Sequence, residues 1–150
     1  VADEPLDPIL IQVTVPLPPP MIFAALVDAE KVAAWLARTA TIDARVGGRY
    51  DLSFDDEPKF ESRGEVTHLT ADTDVGFTWQ PPPLYGDGVG PGPSQVYIRL
   101  QDSPEGIDVT LEHSGWPGTP AGEEARSFHF HFWDERLRRF KEYLMRAAYG

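Results

Sequence analysis

The last thirty residues constrain this chain most. Residues 121–148, AGEEARSFHFHFWDERLRRFKEYLMRAA, place Trp133, Leu137, Phe140 and Leu144 at i, i+4, i+7 and i+11. That spacing draws one apolar stripe along a helix. A stripe of that size has to be buried. The only large surface available is the preceding half of the chain, which alternates apolar and polar residues as β-strands do. The expected class is α+β, a curved sheet gripping a terminal helix.

Upstream, ILIQVTVP (9–16) alternates with Ile9, Ile11, Val13 and Val15 on one side, a half-buried strand. LPPP then stops regular pairing, because proline lacks the N–H a ladder needs. MIFAALVDAEKVAAWLA carries helical spacing, with Ile22, Phe23 and Leu26, then Val32, Trp35 and Leu36. Asp28 breaks it and is placed to cap a second short helix. Strands follow in quick succession. ATIDARV points Ala40, Ile42, Ala44 and Val46 inward, Gly47-Gly48 turns the chain, and RYDLSFD returns with Tyr50, Leu52 and Phe54. FESRGEVTHLT is weaker, with a bulge expected near Gly64. DVGFTWQ turns Val75, Phe77 and Trp79 inward. SQVYIRLQ and IDVTLEHS form a hairpin through Ser103-Pro104-Glu105-Gly106. Seven antiparallel strands result.

Two segments stay ambiguous at this level. SFHFHFW alternates as a strand would, yet the stripe from Trp133 onward and the helix-forming Glu123–Arg126 favour helix. The consequence is a helix with aromatic residues on several sides near 128–133, which must touch more than one surface. Residues 81–93, PPPLYGDGVGPGP, are almost all Pro and Gly, and a loop of that length is either a functional flap or a spacer. Thr119 and Pro120 are set to open the final helix.

Composition removes several classes of function. The chain has 150 residues, the size of one domain, and the reading is a single domain over 1–150 with its core at about 9–147. It contains no cysteine, which excludes disulfides, thiolate metal sites and thiol nucleophiles. That absence fits a reducing cytoplasm, the expected location. The start of the chain, Val1 to Pro8, is acidic and broken by proline, unlike a signal peptide. No stretch approaches the roughly 18–20 apolar residues of a membrane span. The net charge of −11 argues against nucleic acid as a partner, for lack of a phosphate-neutralising excess. The charge is uneven: residues 1–120 hold 7 Lys/Arg against 19 Asp/Glu, and residues 121–150 hold 6 against 5. Arg136, Arg138, Arg139, Lys141 and Arg146 lie late in the last helix, and Glu123 and Glu124 lie in its first turn. This polarity suits the helix dipole and a solvated face.

Taken together, PPPMIFAALVDAEKVAAWLA, DARVGGRYDLSF, SRGEVTHLTADTDVGFTW, VTLEHSGWPG and FWDERLRRFKEYL resemble the START-like, helix-grip superfamily known as SRPBCC. Within it the chain is similar to the branch named for the activator of heat-shock protein 90 ATPase homologue. The resemblance spans about residues 9–147. It implies a β-α-α-β6-α domain, its sheet wrapped around the last helix with an elongated cavity between them. Relatives bind lipids, sterols, polyketides or other apolar molecules, and some are enzymes, so the resemblance implies a fold and not one function. Here Phe132 stands before Trp133, where relatives often have glycine, and loop 81–93 is longer than usual. The extra N-terminal domain of the eukaryotic co-chaperones has no counterpart among these residues.

No nucleophile elbow, phosphate loop or dinucleotide fingerprint is present. Strand parity sets His68 beside Val66 and His113 beside Leu111, which turns both imidazoles toward the grip, as acid–base groups or as hydrogen-bonded core residues. His129 and His131 lie roughly 200° apart around a helix, so no metal is expected from that pair, and no cofactor is expected. The ligand-lining set is Tyr50, Phe54, His68, Phe77, Trp79, His113, Phe132, Trp133 and Arg136, with His68, His113 and Arg136 as polar contacts. For any one aromatic in that set, core filling competes with cavity lining. The leading reading is a binding protein for an apolar or amphipathic small molecule. The alternatives are a chaperone-regulating interaction module and a cyclase- or hydrolase-like enzyme using a cavity histidine. The aromatic excess on the last helix leaves a homodimer open.

Overall fold

The computed structural model describes residues 4–56, 59–89 and 93–150. The elements are β1 (Ile9–Val15), α1 (Pro19–Val27), α2 (Ala29–Trp35), β2 (Thr39–Ile42), β3 (Arg49–Phe54), β4 (Phe60–Thr70), β5 (Asp74–Trp79), β6 (Ser94–Ser103), β7 (Gly106–Ser114) and α3 (Pro120–Tyr149). The β-α-α-β6-α order read from the sequence is the order found. Every strand pair is antiparallel, and the sheet runs β1-β7-β6-β5-β4-β3-β2. The two short helices carry the chain from one edge strand, β1, to the other, β2.

Local chemistry sets the boundaries. Asp28 ends α1 and caps α2, its carboxylate accepting the N–H groups of Glu30 (3.0 Å) and Lys31 (3.4 Å). Trp35 at the end of α2 donates its indole N–H to the Ala25 carbonyl (2.8 Å), pinning the two helices together. Thr119 caps α3 by accepting from Gly122 N–H (3.0 Å), with Pro120 in the first turn. The segment 128–133 is helical, as the stripe beyond it requires.

Two strand readings need correction. The alternation in ATIDARV extends the second strand to Val46, but β2 ends at Ile42, leaving Ala44 and Val46 exposed. The backbone turns instead: Arg45 N–H bonds to Asp43 O and Gly48 N–H to Arg45 O, both at 2.8 Å. Gly47 takes φ 86°, and a Cβ on Gly48 would run into the Asp43 and Arg45 carbonyls, so both glycines are dictated by the turn. The bulge in β4 lies between Val66 and His68 rather than near Gly64. Val66 pairs with Phe77 and His68 with Gly76, leaving Thr67 as the extra residue. One inserted residue reverses the parity. His68 is therefore exposed on the outer face, over Gly76 and edge-on to the Tyr97 ring at 5.4 Å.

The core lies between the inner sheet face and the helices. Val15, Val75, Val96, Val109 and Leu111 from the strands and Trp133, Leu137 and Phe140 from α3 are all fully buried. The stripe read from the sequence is thus the gripped face. Around 81–89 the chain forms a kinked 3₁₀ segment, Pro83–Gly88, packed on the start of α3. Gly88 sits so close to Ala121 and Ala125 that a side chain there has no room. Residues 90–92, which complete the long Pro/Gly loop, lie outside the described residues.

Candidate functional site

Eight of the nine expected lining residues converge between sheet and helix, and what they form is packed. Tyr50 stacks on Phe77 with ring centroids 3.8 Å apart, and Phe54 stacks on Phe60 at 4.4 Å. Trp79 lies 5.1 Å from Trp133 and 5.8 Å from Phe132. These rings fill one another's space through close stacking and tilted contacts. Tyr50 donates its hydroxyl to the Leu26 carbonyl at 2.7 Å, and burial pushes its phenol pKa up. The ninth residue, His68, is outside, for the reason given above.

The polar heart of this region is a pair of buried histidines. His113 faces inward from β7, as parity requires, and His129 faces inward from α3, although the sequence reading gave it no role. Their rings are 5.3 Å apart and both are fully buried. The partners fix each tautomer. His129 Nδ1 lies 2.7 Å from the Ala125 carbonyl, which can only accept, so Nδ1 carries the proton. Its bare Nε2 then accepts the Trp79 indole N–H at 3.1 Å. His113 Nδ1 accepts the Trp133 indole N–H at 2.9 Å, so its Nε2 donates to Ser94 Oγ at 2.8 Å. The Ser94 hydroxyl in turn donates to the Trp79 carbonyl at 3.1 Å. The Trp116 indole donates to the His113 carbonyl at 2.8 Å.

Every donor in this network meets an acceptor only while both imidazoles are neutral. A proton on His129 Nε2 would face the Trp79 N–H, and one on His113 Nδ1 would face the Trp133 N–H. Burial accordingly holds His113 well below the usual imidazole range, with His129 nearby adding to the effect. Burial lowers His129 to about 4, partly offset by its bond to the Ala125 carbonyl. Both nitrogens of His113 are taken, so it has no lone pair or proton to offer a substrate. The same bonds occupy the lone pairs a metal would need. Among the described residues, no group of three or more His, Asp or Glu side chains is arranged to hold a metal ion.

Arg136 is also committed. It is 3% exposed and donates Nε to the Leu36 carbonyl at the end of α2 (2.8 Å). Its terminal nitrogens pair with Asp56 (2.6 Å) and Glu135 (2.8 Å), and the guanidinium carbon lies 4.4 Å from the Phe132 ring centre. It is a clasp joining α3, α2 and the loop after β3.

Space for a ligand lies beside this packed region, along the first half of α3. An open cleft of about 540 Å³ runs between the 3₁₀ segment and α3, lined by Asp56, Tyr85, Glu124, Ser127, Phe128, His131, Phe132, Glu135 and Arg136. Tyr85 stacks on Phe128 at 4.6 Å, and Phe128 on Phe132 at 6.1 Å, giving one aromatic wall. Of the residues expected to line a ligand, Phe132 and Arg136 are here, and the rest lie behind them or, for His68, outside. Tyr85, Phe128, Glu124 and His131 were missing from that set. The signal that pointed to them was the aromatic excess around 128–133, which demanded a second contact surface for the helix.

Comparison with known proteins places the fold. The family model described as "Activator of Hsp90 ATPase homolog 1-like protein" matches residues 16–145. Among solved structures, the chain is similar to the protein MLL2253 of Mesorhizobium loti, with a TM-score of 0.78, 20% identity, and coverage of 93% of this chain and 97% of that one. It is similar to DynU16, a protein of the dynemicin biosynthetic locus, with a TM-score of 0.75 and 27% identity over 94% of this chain; this chain spans 48% of DynU16. It also resembles the Aha1 dimer of Colwellia psychrerythraea, with a TM-score of 0.64, 17% identity, and coverage of 85% and 91%. No curated protein matches the sequence. With a family model covering most of its length and a helix-grip fold shared with these structures, the chain belongs to the Activator of Hsp90 ATPase homolog 1-like family, within the SRPBCC superfamily.

Proposed function

We propose that the chain binds a small amphipathic molecule in the cleft between the 3₁₀ segment and α3, and that it works as a binding protein rather than through a histidine acid–base centre. One observation carries this reading: an aromatic wall of Tyr85, Phe128 and Phe132 borders an open space of about 540 Å³ whose remaining lining is polar. That size and mix suit a small-molecule site. The packing of rings behind it supports the mouth of the grip as the ligand's position. The neutral, fully bonded histidines support a structural role for His113 and His129. DynU16, 27% identical, belongs to a biosynthetic locus, which fits a role close to small-molecule chemistry.

Native mass spectrometry of protein purified without refolding, together with titration of the neutral dye Nile red, tests the proposal. Phe128 is half-buried, so Phe128→Ala trims the cleft while leaving the core intact. The expected result is a co-purified molecule or Nile red binding that weakens several-fold in this variant. Protein free of small molecules that also ignores Nile red would overturn the reading, as would binding indifferent to Phe128→Ala.

A second reading, a surface for protein contact, is favoured by Phe130. It is 39% exposed and stands beside Leu6 and Arg126 in a neighbouring cleft of about 480 Å³. The Colwellia relative is a dimer, and the family is named for a chaperone-ATPase activator. Sedimentation velocity of the chain and of Phe130→Ser decides whether this surface joins two copies. A monomer at all concentrations removes the homodimer.

A further inference from the structure

We infer that the cleft selects cationic amphipathic molecules, an apolar or aromatic body bearing an amine or quaternary ammonium group, over carboxylates and other anions. This rests on the cleft being the ligand site and names its ligand class. Arg136, the one guanidinium in the lining, looks at first like an anion receptor, but its geometry argues against that role. It is buried, its Nε and both terminal nitrogens already donate to Leu36 O, Asp56 and Glu135, and Phe132 covers one face. An incoming carboxylate would have to displace one of two carboxylates already in place and approach the other.

The rest of the lining points the opposite way. Of the three carboxylates in the lining, Asp56 pairs with Arg136 and Glu135 with both Arg136 and Arg139, which leaves Glu124 as the one whose charge faces a ligand. Glu124 is exposed at the rim and makes no ion pair among the described residues. Tyr85 and Phe128 stack on each other and Arg136 lies over Phe132, so only the ring faces left uncovered meet the cleft; such faces are electron-rich and attract cations over anions. The chain as a whole carries −11, so its long-range field favours the approach of cations to the protein over anions. Glu124, the ring faces and the net charge therefore agree on one sign of ligand charge.

The test is a fluorescence titration with three dyes: berberine, a cationic aromatic; Nile red, neutral; and anilinonaphthalene sulfonate, anionic. Berberine is expected to bind at least about tenfold more tightly than the sulfonate at low salt, with the gap narrowing at about 300 mM salt as surface charges are screened. Glu124→Gln is expected to weaken berberine about fivefold and leave Nile red unchanged, whereas Phe128→Ala weakens both. If the sulfonate binds as tightly as berberine, or Glu124→Gln leaves their ratio unchanged, the charge selectivity is wrong. Nile red binding that still depends on Phe128 would in that case keep the cleft as the ligand site. If none of the dyes binds, the selectivity falls together with the cleft reading.

Discussion

The buried histidine pair makes this fold sensitive to mild acid, and the size of the effect follows from the structure. Inside the fold both imidazoles are held neutral, His129 down to about 4 and His113 well below the ordinary value. In the unfolded chain each returns to about 6.5. Below pH 6.5 the unfolded chain therefore binds protons that the folded chain refuses. Because the folded values are depressed, the stabilisation is fully present above about pH 6.5 and is lost as pH falls toward 4. For His129 the loss between pH 7.5 and pH 5.0 is about 2 kcal/mol, and His113 acts in the same direction. Near pH 5.5 the unfolded chain holds close to one extra proton at His129, a slope on the order of 1 kcal/mol per pH unit, and His113 steepens it in the same direction. A loss of about 2 kcal/mol from His129 alone is already a substantial fraction of the roughly 5–15 kcal/mol typical of a domain.

Urea unfolding followed by tryptophan fluorescence at several pH values from 7.5 to 5.0 measures this directly. Trp79, Trp116 and Trp133 all bond into the network, so their emission reports its loss. The midpoint should fall steadily below pH 6.5 while the m-value stays constant. The His113→Asn/His129→Gln double variant should be less stable at pH 7.5, by about 1–3 kcal/mol for each bonded group left unsatisfied. Its midpoint should nevertheless change far less between pH 7.5 and 5.0. A flat wild-type midpoint would refute the reasoning, and so would a slope that survives unchanged in the double variant, which would assign the acid sensitivity to other groups.

Three further outcomes are expected. Trp133→Ala should cost about 3–5 kcal/mol in urea unfolding, since the side chain is fully buried and also leaves His113 Nδ1 without its donor; a loss below about 1 kcal/mol would mean the helix is not gripped. Arg136→Met should cost about 1–3 kcal/mol, because the Leu36 carbonyl loses its partner while the half-exposed Glu135 and partly exposed Asp56 regain water, and an unchanged midpoint would show that the clasp contributes nothing. Gly88→Ala pushes a methyl into Ala121 and Ala125, and hydrogen exchange should show faster exchange in 83–88 with the sheet unaffected; equal protection would mean the 3₁₀ segment is not seated as described.

The fold was legible because its instructions are local and repetitive. The stripe from Trp133 to Leu144 needs only helical spacing, and the alternation in β5, β6 and β7 needs only strand spacing. Asp28 marks its own helix boundary through bonds to residues two and three positions on. Where the sequence misled, the deciding partner lay far away. Nothing within FESRGEVTHLT says that Thr67 will be the extra residue. That depends on the pairing with β5 and on Gln95 of β6, whose side-chain amide donates to Thr67 Oγ1 at 2.7 Å. The inserted residue then decided the fate of His68, a candidate ligand contact that ended on the outer face.

The same distinction separates the two charged or titratable residues that look most functional on paper. Arg136 reads as a free cation on a basic helix until Asp56 and Leu36, both remote in sequence, are brought to it. His113 reads as a cavity acid–base group until Trp133 and Ser94 take both its nitrogens. In each case packing consumes the group's chemistry, leaving carboxylates and aromatic rings at the rim with the guanidinium and the imidazoles behind them. Strand parity, helix spacing and charge counts indicate where a side chain points, but they do not indicate whether its hydrogen-bonding capacity is already spent. In this fold that second question leaves the wall formed by Tyr85, Phe128 and Phe132, rather than the histidines, facing open space.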